Sequence, residues 1–300
     1  MLRGLYTAAG GMMAQQRRHD TVTNNIANLN TPGFKANNAI NRSFPDMLIA
    51  AVGGENTREG RVGTLSTGVF AEENMLSMGQ GDIRQTFRPQ DMALISDLEL
   101  RTPIPGAVLD GSGKYIDATT GLPVTDANGN AIFQPQAFFT VNTPQGERYT
   151  RDGSFQTAAD GTLLTAGGSE VLDVNGQRIV INGSWDDIAV TSDGSLIDKT
   201  TGQALPNNPR LRLTRVENPN DLIREGNGLF RYDGAQGGIG LLQAGDRAEV
   251  RQGFLERSNV DAAQSAVDLM AALRAYEANQ KVIQFYDRSL DKAVNEIGKV

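Results

Sequence analysis

The sequence predicts an α+β protein in which a helix at each end flanks a central antiparallel β domain, barrel-like or a sandwich. Apolar residues recur with heptad spacing near both ends, and the middle alternates short β-type runs with turn dipeptides. We therefore expect residues 1–35 and 254–300 to form a terminal helical assembly domain. Residues 36–81 are expected to form an extended connector, and residues 82–253 the β domain with an insertion at 96–136.

The N-terminal helix is expected over roughly residues 2–28. Its apolar stripe weakens in the middle and consists of Leu2, Leu5, Ala9, Met12 and Ile26. The Gly10-Gly11 pair costs about 1 kcal/mol per glycine relative to alanine inside a helix. We interpret it as a small-residue patch where a neighbouring helix approaches closely. Asn30-Thr31-Pro32-Gly33 then ends the helix, because proline excludes helical geometry before it and Gly33 suits a type II turn.

The connector is polar and rich in glycine, and its short apolar run at residues 47–52 fits either a strand or a helical turn. Beyond it, dipeptides typical of tight hairpin turns begin at Asp110, Asp152, Asp160, Asp193 and Asp233, and at Asn128, Asn175, Asn182 and Asn227. Their glycines supply the positive φ that such turns demand. Between the turns, runs of strand length occupy residues 137–142, 161–165, 178–182 and 210–216.

The C-terminal helix is predicted after Phe254, where turn signals vanish. Its apolar seam recurs every seven residues at Leu269, Tyr276, Ile283, Leu290 and Ile297, with Leu273 and Val294 four positions further on in their heptads. This spacing is typical of a helix that packs along another helix.

Composition excludes several classes of function. A net charge of -7 argues against nucleic-acid binding, which needs a basic stripe to displace phosphate counterions. The chain has no cysteine, so disulfides, thiolate metal sites and a cysteine nucleophile are excluded. The first residues lack the apolar core of a cleavable secretory signal, and no stretch has the length needed to span a bilayer. We expect no membrane insertion.

Carboxylates in the β domain suggest an alternative function. Asp152, Asp160 and Asp193 could supply a glycosidase pair, which would make the chain a secreted β-rich carbohydrate-binding or glycan-cleaving module. Each of them precedes a glycine, however, and aspartate is favoured at that position for backbone reasons alone. We therefore interpret them as turn residues, and no catalytic residue is predicted.

The sequence offers no convincing metal or cofactor site. Asp126, Asn128 and Asn130 imitate the start of a calcium loop, but alanines stand at its sixth and twelfth positions, where glycine and a bidentate glutamate are needed. His19 is the only histidine, so neither a histidine metal cluster nor the usual serine triad can form. We expect His19 to pack or to lie at the solvent edge, and Trp185 to fill the β core.

Strings at both ends of the chain are the most specific signal. The segment Asn24-Asn25-Ile26-Ala27-Asn28-Leu29-Asn30-Thr31-Pro32-Gly33-Phe34-Lys35 resembles the N-terminal signature of the bacterial flagellar rod and hook axial proteins. The segments Gly253-Phe254-Leu255-Glu256-Arg257-Ser258-Asn259 and Arg274-Ala275-Tyr276-Glu277-Ala278-Asn279 are similar to the C-terminal helix region of that family. The opening Met-Leu-Arg-Gly-Leu-Tyr resembles its distal-rod type in particular.

The middle carries weaker matches to the same family. Tyr149-Thr150-Arg151-Asp152-Gly153-Ser154-Phe155 and Thr191-Ser192-Asp193-Gly194-Ser195-Leu196 are similar to its β-domain segments. The insertion at 96–136 departs from the usual pattern and is expected to form a surface loop or an extra hairpin. It favours a rod or hook-basal-body paralogue of the distal rod protein.

The resemblance implies an axial structural subunit of the flagellar basal body. Its terminal helices would pair into an inner coiled-coil layer with the β domain outside, around a hollow shaft. The partners would be copies of itself, other axial proteins and the flagellar type III export apparatus, and no cofactor is implied. Stacking through heterologous contacts that do not close generates a filament.

The asparagine-rich helix end is expected to donate hydrogen bonds to the backbones of neighbouring chains. We therefore predict assembly residues in two groups. They are Asn24, Asn25, Ile26, Asn28, Asn30, Pro32, Gly33 and Phe34 at the first end, and Leu269, Leu273, Tyr276, Ile283, Leu290 and Ile297 at the second.

Overall fold

The computed structural model describes residues 2–45, 47–50, 61–72, 74–111, 113–125, 129, 131–234, 237–243 and 245–297. The chain divides into two compact units. The helical unit comprises Met1–Ala27, Asn37–Met75 and Asp261–Val300, and the β unit comprises Asn28–Ala36 and Leu76–Val260. The first and last helices therefore belong to one unit.

Both predicted helices are confirmed. Helix α1 covers Leu2–Ala27, and helix α2 covers Ala262–Lys292 and continues as a π-helical turn over Ala293–Ile297. Asp261 caps α2, since its carboxylate accepts hydrogen bonds from the N–H groups of Ala263 and Gln264 at 2.8 and 3.0 Å. These bonds satisfy donors that a helix start leaves unpaired.

The two helices pack antiparallel, and the contact residues on α1 are small or polar and recur every seven positions. On α1, a Cβ at Gly4 would overlap the Tyr286 ring, and one at Gly11 would lie 3.0 Å from Nδ2 of Asn279. One heptad further, Arg18 Nη2 lies 2.9 Å from Asp268 Oδ1. Gly11 is thus a site of close helix approach, as predicted, because a larger residue there would push the helices apart.

This contact line lies beside the predicted apolar seam. Its α2 side runs through two buried small residues, Ser265 and Ala272. Small residues let the backbones approach, so the larger side chains fall to the flanks. Leu269, Tyr276, Ile283 and Leu290 are accordingly half-buried, whereas Leu273 and Val294 are exposed.

The described part of the helical unit also contains five short strands. They are β1 (Asn37–Asn38), β2 (Asn41–Ser43), β3 (Met47–Ala50), β4 (Arg61–Leu65) and β5 (Val69–Ala71). Strands β2 and β5 pair, as do β3 and β4, both antiparallel. Strand β5 runs alongside α1. A Cβ on Gly10 would lie 3.1 Å from the Val69 carbonyl oxygen, and Arg17 Nη1 donates to the Ala71 carbonyl at 3.5 Å. The apolar run starts as a strand, and its last residues, 51 and 52, lie outside the described residues.

From residue 75 onward the chain is dominated by strands. They are β6 (Met75–Leu76), β7 (Ile83–Gln85), β8 (Met92–Ser96), β9 (Ala107–Leu109), β10 (Tyr115–Asp117), β11 (Gln136–Thr143), β12 (Gly146–Thr150), β13 (Phe155–Thr157), β14 (Leu163–Thr165), β15 (Glu170–Val171), β16 (Ile188–Val190), β17 (Leu196–Asp198), β18 (Leu213–Val216), β19 (Leu222–Gly226), β20 (Leu229–Tyr232), β21 (Ile239–Leu241), β22 (Ala248–Gln252) and β23 (Phe254–Glu256). Two 3₁₀ turns, Trp185–Asp187 and Pro219–Asp221, precede β16 and β19.

Strand β11 organises the main sheet, which has nine strands in the part of the chain that the structure describes. It pairs antiparallel with β12, β15 and β18. Both of its faces are buried: Phe139 packs edge-on against Phe155, and Phe138 packs edge-on against Phe230. This double burial explains why the neighbouring residues Phe138 and Phe139 are both apolar instead of alternating with polar ones. Trp185 lies in the same core as Phe139, as predicted.

The turn dipeptides were only partly predicted correctly. Between β19 and β20, Asn227 and Gly228 have φ of 50° and 71°, as a type I′ turn requires. Positive φ is also found at the glycines that follow Asp160, Asn175, Asn182 and Asp193.

Three of the predicted dipeptides lack the positive φ expected at their glycine, and one predicted strand does not form. Gly111, Gly153 and Gly234 lack positive φ. Gly153 instead permits close backbone approach, because a Cβ there would overlap the Met92 carbonyl. Residues 178–182 form only isolated bridges, Leu172–Arg178 and Thr162–Val180.

A hairpin lies within residues 96–136, for which a surface loop or an extra hairpin was predicted. Strands β9 and β10 pair antiparallel, with Ile116 opposite Val108. The predicted turn dipeptide Asn128-Gly129 lies in the calcium-like stretch. Gly129 has a φ of 84°, and residues 126–128 and 130 lie outside the described residues.

Candidate functional site

Three of the sequence strings that carry the family resemblance meet inside the β unit. The first is the Pro32-Gly33 turn, in which the Phe34 N–H donates to the Thr31 carbonyl at 3.3 Å and Gly33 has a φ of 65°. The Gly33 N–H donates to the Glu256 carbonyl at 2.8 Å, and a Cβ on Gly33 would lie 2.5 Å from the carbonyl carbon of Arg151. Only glycine meets both the φ requirement and this close approach.

Phe34 is held by a cation–π contact. The Arg224 guanidinium carbon lies 4.2 Å from the centre of the Phe34 ring, and Arg224 Nη2 donates to the Lys35 carbonyl at 2.5 Å. Phe34 itself is buried. A guanidinium over an aromatic ring is more favourable once both groups leave water, so Arg224 fixes the residue that follows the turn.

Lys35 begins a buried charge cluster, which we call the junction cluster and define as Lys35, Arg151 and Glu256. Lys35 Nζ lies 2.7 Å from Glu256 Oε1, and Arg151 Nη1 lies 3.5 Å from Glu256 Oε2. The three side chains are at most 1% exposed. One residue from each of the three strings therefore contributes a buried charge to one group.

Hydrogen bonds complete the junction cluster. Lys35 Nζ donates to the Gly79 carbonyl at 2.9 Å, and the Gly81 N–H donates to Glu256 Oε1 at 2.9 Å. Arg151 donates from Nη1 to the Leu94 carbonyl at 2.8 Å and from Nη2 to Ser96 Oγ at 2.7 Å. It also donates to Gln136 Oε1. These bonds satisfy most of the buried polar atoms of the cluster, as a buried ion pair requires, and Arg151 Nε is left without a hydrogen-bond partner in the described structure.

Asn259 ties the same segments together three residues after Glu256. Its Oδ1 accepts from the Ala36 N–H at 2.7 Å, and its Nδ2 donates to the carbonyls of Ser77 and Gly79 at 2.8 and 3.0 Å. Residues 28–36 follow α1 in the chain and residues 257–260 precede α2. The β unit thus holds the segment that follows α1 and the segment that precedes α2.

Burial sets the protonation of the cluster. Burial lowers the pKa of Lys35 from 10.5 to about 8, although the Glu256 charge acts in the opposite direction. Burial alone would raise the pKa of Glu256. The charges of Arg151 and Lys35, together with hydrogen bonds from Lys35 and Gly81, outweigh this effect and hold that pKa below its ordinary value.

The shifted pKa of Lys35 predicts a pH dependence. The unfolded chain keeps the Lys35 proton up to about pH 10.5, whereas the folded chain releases it near pH 8. Because the unfolded state then binds more protons, Lys35 raises the free energy of unfolding as pH rises through this window. Between about pH 7.5 and pH 9.5, we expect the wild type to gain about 1 to 2 kcal/mol relative to Lys35→Met. Urea unfolding monitored by Trp185 fluorescence measures the gain, and equal pH slopes for the two proteins would contradict it.

The structure places the predicted N-terminal assembly residues in two environments. Gly33 and Phe34 are buried in the β unit, whereas Asn30 is exposed and Pro32 is half-buried. In the helical unit Asn24 is exposed and Ile26 is half-buried, and in the β unit Asn28 is half-buried. Asn25 is buried, and its side-chain amide exchanges two hydrogen bonds with the backbone of Asn37 in the same unit, at 2.8 and 3.0 Å.

The helical unit presents large apolar side chains to solvent. On α1, Tyr6 is 72% exposed and Met13 is 65% exposed. On α2, Phe285 is 72% exposed, and Met270 and Leu273 are also exposed. We call these five residues the outward apolar face. The side chain of Ile297 lies outside the described residues.

The aspartates of the alternative function serve their own turns. Asp160 accepts from the N–H and Oγ1 of Thr162 at 3.1 and 2.8 Å. Asp152 accepts from the N–H and Oγ of Ser154 at 2.9 and 2.6 Å. Asp193 is bonded in the same way to Ser195. These bonds are the local side-chain-to-backbone pattern of turn aspartates.

Other candidate chemistry is similarly accounted for. His19 is half-buried, with Nδ1 3.6 Å from Asp20 Oδ1. In the described ranges no group of three or more histidine, aspartate or glutamate residues could hold a metal ion. Among the helices of the same ranges, none combines the length and the hydropathy that a membrane span requires.

Family models match the chain in three places. Residues 5–35 match the flagella basal body rod protein model, and residues 132–197 match the flagellar hook protein FlgE/F/G D1 domain. Residues 251–296 match the C-terminal region of the flagellar basal body rod FlgEFG proteins. The first and last matches include Lys35 and Glu256, and the second includes Arg151.

Full-length relatives extend these matches. The chain is 33% identical over 304 residues to the flagellar hook-basal body complex protein FlhO of Bacillus subtilis, with all of both chains covered. It is 28% identical to the flagellar basal-body rod protein FlgG of the same organism, covering 98% of this chain and 99% of that one. It is 30% identical to FlgG of Borreliella burgdorferi, covering 98% of each. The chain therefore belongs to the FlgE/F/G family of flagellar basal-body rod and hook proteins, and it is a structural axial subunit rather than an enzyme.

Proposed function

We propose that this subunit is exported by the flagellar type III apparatus and builds a hollow axial shaft for motility with copies of itself and other axial proteins. In this proposal neighbouring subunits bury the outward apolar face. The proposal extends to the exposed or half-buried residues at the end of α1 and along α2, namely Asn24, Ile26, Asn28, Asn30, Pro32, Leu269, Tyr276, Ile283 and Leu290.

The observation that carries the proposal is the exposure of Tyr6, Met13, Met270, Leu273 and Phe285 on two helices. Large apolar groups held in water lose the free energy that burial would give, about 25 cal/mol per Å². Exposed apolar side chains of this size on both helices are candidates for contact with a partner. The β unit has its own hydrophobic core and does not need this surface in order to fold.

Replacing two members of the outward apolar face tests the proposal. We expect Met270→Ser with Phe285→Ser to abolish motility and to remove the protein from purified basal bodies, because each lost contact recurs at every subunit of the shaft. The β unit should stay folded, which the fluorescence of its buried Trp185 reports.

Leu122→Ser is the control, since Leu122 is also a large, exposed apolar side chain but lies in the β unit. This variant should remain motile. Motile cells whose basal bodies contain the double variant at the wild-type amount would contradict the proposal.

We further expect both tails to be largely disordered in the free monomer and to fold on assembly. Helix stability comes chiefly from packing, and α1 contains the Gly10-Gly11 pair. Hydrogen exchange on the monomer should therefore show little protection at residues 5–25 and 265–290. Strong protection of these residues without oligomerisation would refute the expectation.

A further inference from the structure

A cleft of about 230 Å³ lies on the β unit beside the Pro32-Gly33 turn. Strands β7 and β23 pair beneath it, with Arg84 opposite Leu255. Its walls combine apolar groups from Leu29, Pro32 and Leu255 with the arginines at 84 and 257. Such a cleft suits a ligand that has an apolar stem and an anionic end.

The two cleft arginines differ from others of the β unit. Arginines there commonly pair with a carboxylate, as in Arg101–Glu217, Arg148–Glu225, Arg212–Glu147, Arg215–Asp246 and Arg247–Glu99. Arg84 and Arg257 are exposed, and neither has an ion-pair partner among the residues that the structure describes. Their guanidinium groups are therefore available to a carboxylate from outside, and the planar guanidinium matches carboxylate geometry.

We propose that this cleft binds an aspartate or glutamate side chain from a second copy of the chain. The inference rests on the proposed function and names one of its contacts. In a heterologous contact, each subunit uses one patch to bind the complementary patch of the next subunit, so both patches are open on a free subunit. This cleft has the features expected of a cationic patch. The chain carries 35 acidic against 28 basic residues, so a second copy offers carboxylates in surplus.

The same charge balance disfavours larger anions. At a net charge of -7, a nucleic acid or an anionic lipid surface is repelled by the rest of the molecule. A single carboxylate on a docked neighbour meets the cleft at high effective concentration and needs no long-range attraction. The arginines of the cleft and the net negative charge of the chain therefore both favour a carboxylate of a second copy as the ligand.

Zero-length cross-linking in purified basal bodies identifies the occupant. Arg84→Lys with Arg257→Lys keeps the charge and places amines in the cleft, which a carbodiimide couples to a carboxylate in direct contact. We expect a dimer in which residue 84 or 257 is joined to an aspartate or glutamate of a second copy. Arg88→Lys is the matched control, because Arg88 is exposed and without an ion pair in the described structure but does not line the cleft.

The outcomes separate this inference from the proposed function. Links only within one chain, links to a different protein, or links no more frequent than with Arg88→Lys would overturn the inference while leaving the shaft subunit in place. Absence of the wild-type protein from basal bodies would overturn the proposed function itself.

Self-assembly of the purified full-length chain gives a second readout. Arg84→Gln with Arg257→Gln should raise the concentration needed for polymer formation about tenfold at low salt, and the difference should shrink as salt screens the contact. Arg88→Gln should assemble like the wild type. An unchanged concentration for the double variant would contradict the inference.

Discussion

Replacing Glu256 by glutamine is expected to lower the free energy of unfolding of the β unit by about 3 to 5 kcal/mol, the usual cost of removing one partner from a buried ion pair. Lys35 and Arg151 would both remain buried without a counter-charge, within 2.7 and 3.5 Å of a neutral amide. Glutamine keeps the size of the side chain, so the loss reports charge rather than a cavity. Urea unfolding followed by Trp185 fluorescence measures it.

Glu249→Gln is the control for this variant. Glu249 pairs with Arg251 at 3.1 Å, but both side chains are exposed, and such pairs contribute at most about 1 kcal/mol. A loss for Glu256→Gln no larger than for Glu249→Gln would contradict the role of the junction cluster.

The Glu256 variant should also change the response to acid. Because the folded pKa of Glu256 is depressed, its stabilisation is present above the unfolded pKa of about 4.3 and is lost as pH falls through the folded pKa. The glutamine variant lacks this step and should lose less stability in acid.

Replacing Gly33 by alanine is expected to cost about 2 to 5 kcal/mol, from left-handed backbone strain together with steric overlap. The added Cβ would lie 2.5 Å from the Arg151 carbonyl carbon and 2.6 Å from the Asp152 nitrogen. Backbone atoms cannot move aside as a flexible side chain can, so the turn itself must shift. That shift would displace Phe34 and Lys35, and we expect reduced motility as well as reduced stability.

Gly106→Ala separates the two causes. Gly106 has a similar φ of 78°, but a Cβ there meets nothing within 4 Å. We expect this control to lose only the conformational part, about 1 to 2 kcal/mol. Equal losses for the two variants would show that the close approach at Gly33 is unimportant.

Local patterns predicted the elements better than their contacts. Heptad spacing identified both helices, and proline followed by glycine identified the turn at Gly33. The helix contact line was missed, because apolar periodicity marks large residues while close approach is governed by small ones such as Gly4 and Ala272. Similarly, Gly153 is required because its backbone lies against the Met92 carbonyl, and a rule that assigns Asp-Gly dipeptides to turns cannot predict such a contact.

The junction cluster could not be predicted from any single segment. Lys35, Arg151 and Glu256 are separated by more than a hundred residues each, and a lysine or glutamate in a sequence is ordinarily exposed. The available signal was that each lies inside one of the three strings with family resemblance. Because the three residues meet in one cluster, the three strings share a physical role. They fix the chain at the points where it leaves α1 and where it continues into α2.

Part of the predicted assembly site therefore has a role within the chain itself. Gly33 and Phe34 act within the β unit, and Asn25 acts within the helical unit. Contacts with neighbouring subunits are instead proposed for the outward apolar face and for the cleft beside Pro32. The N-terminal signature thus combines residues that stabilise the chain with residues that are open to a partner.

Electron cryomicroscopy of purified basal bodies would show directly whether neighbouring subunits bury the terminal helices. We expect density for this chain in the axial shaft, with Tyr6 and Phe285 buried against neighbouring subunits. Shaft density in which α1 and α2 face solvent, or basal bodies without this chain, would contradict it.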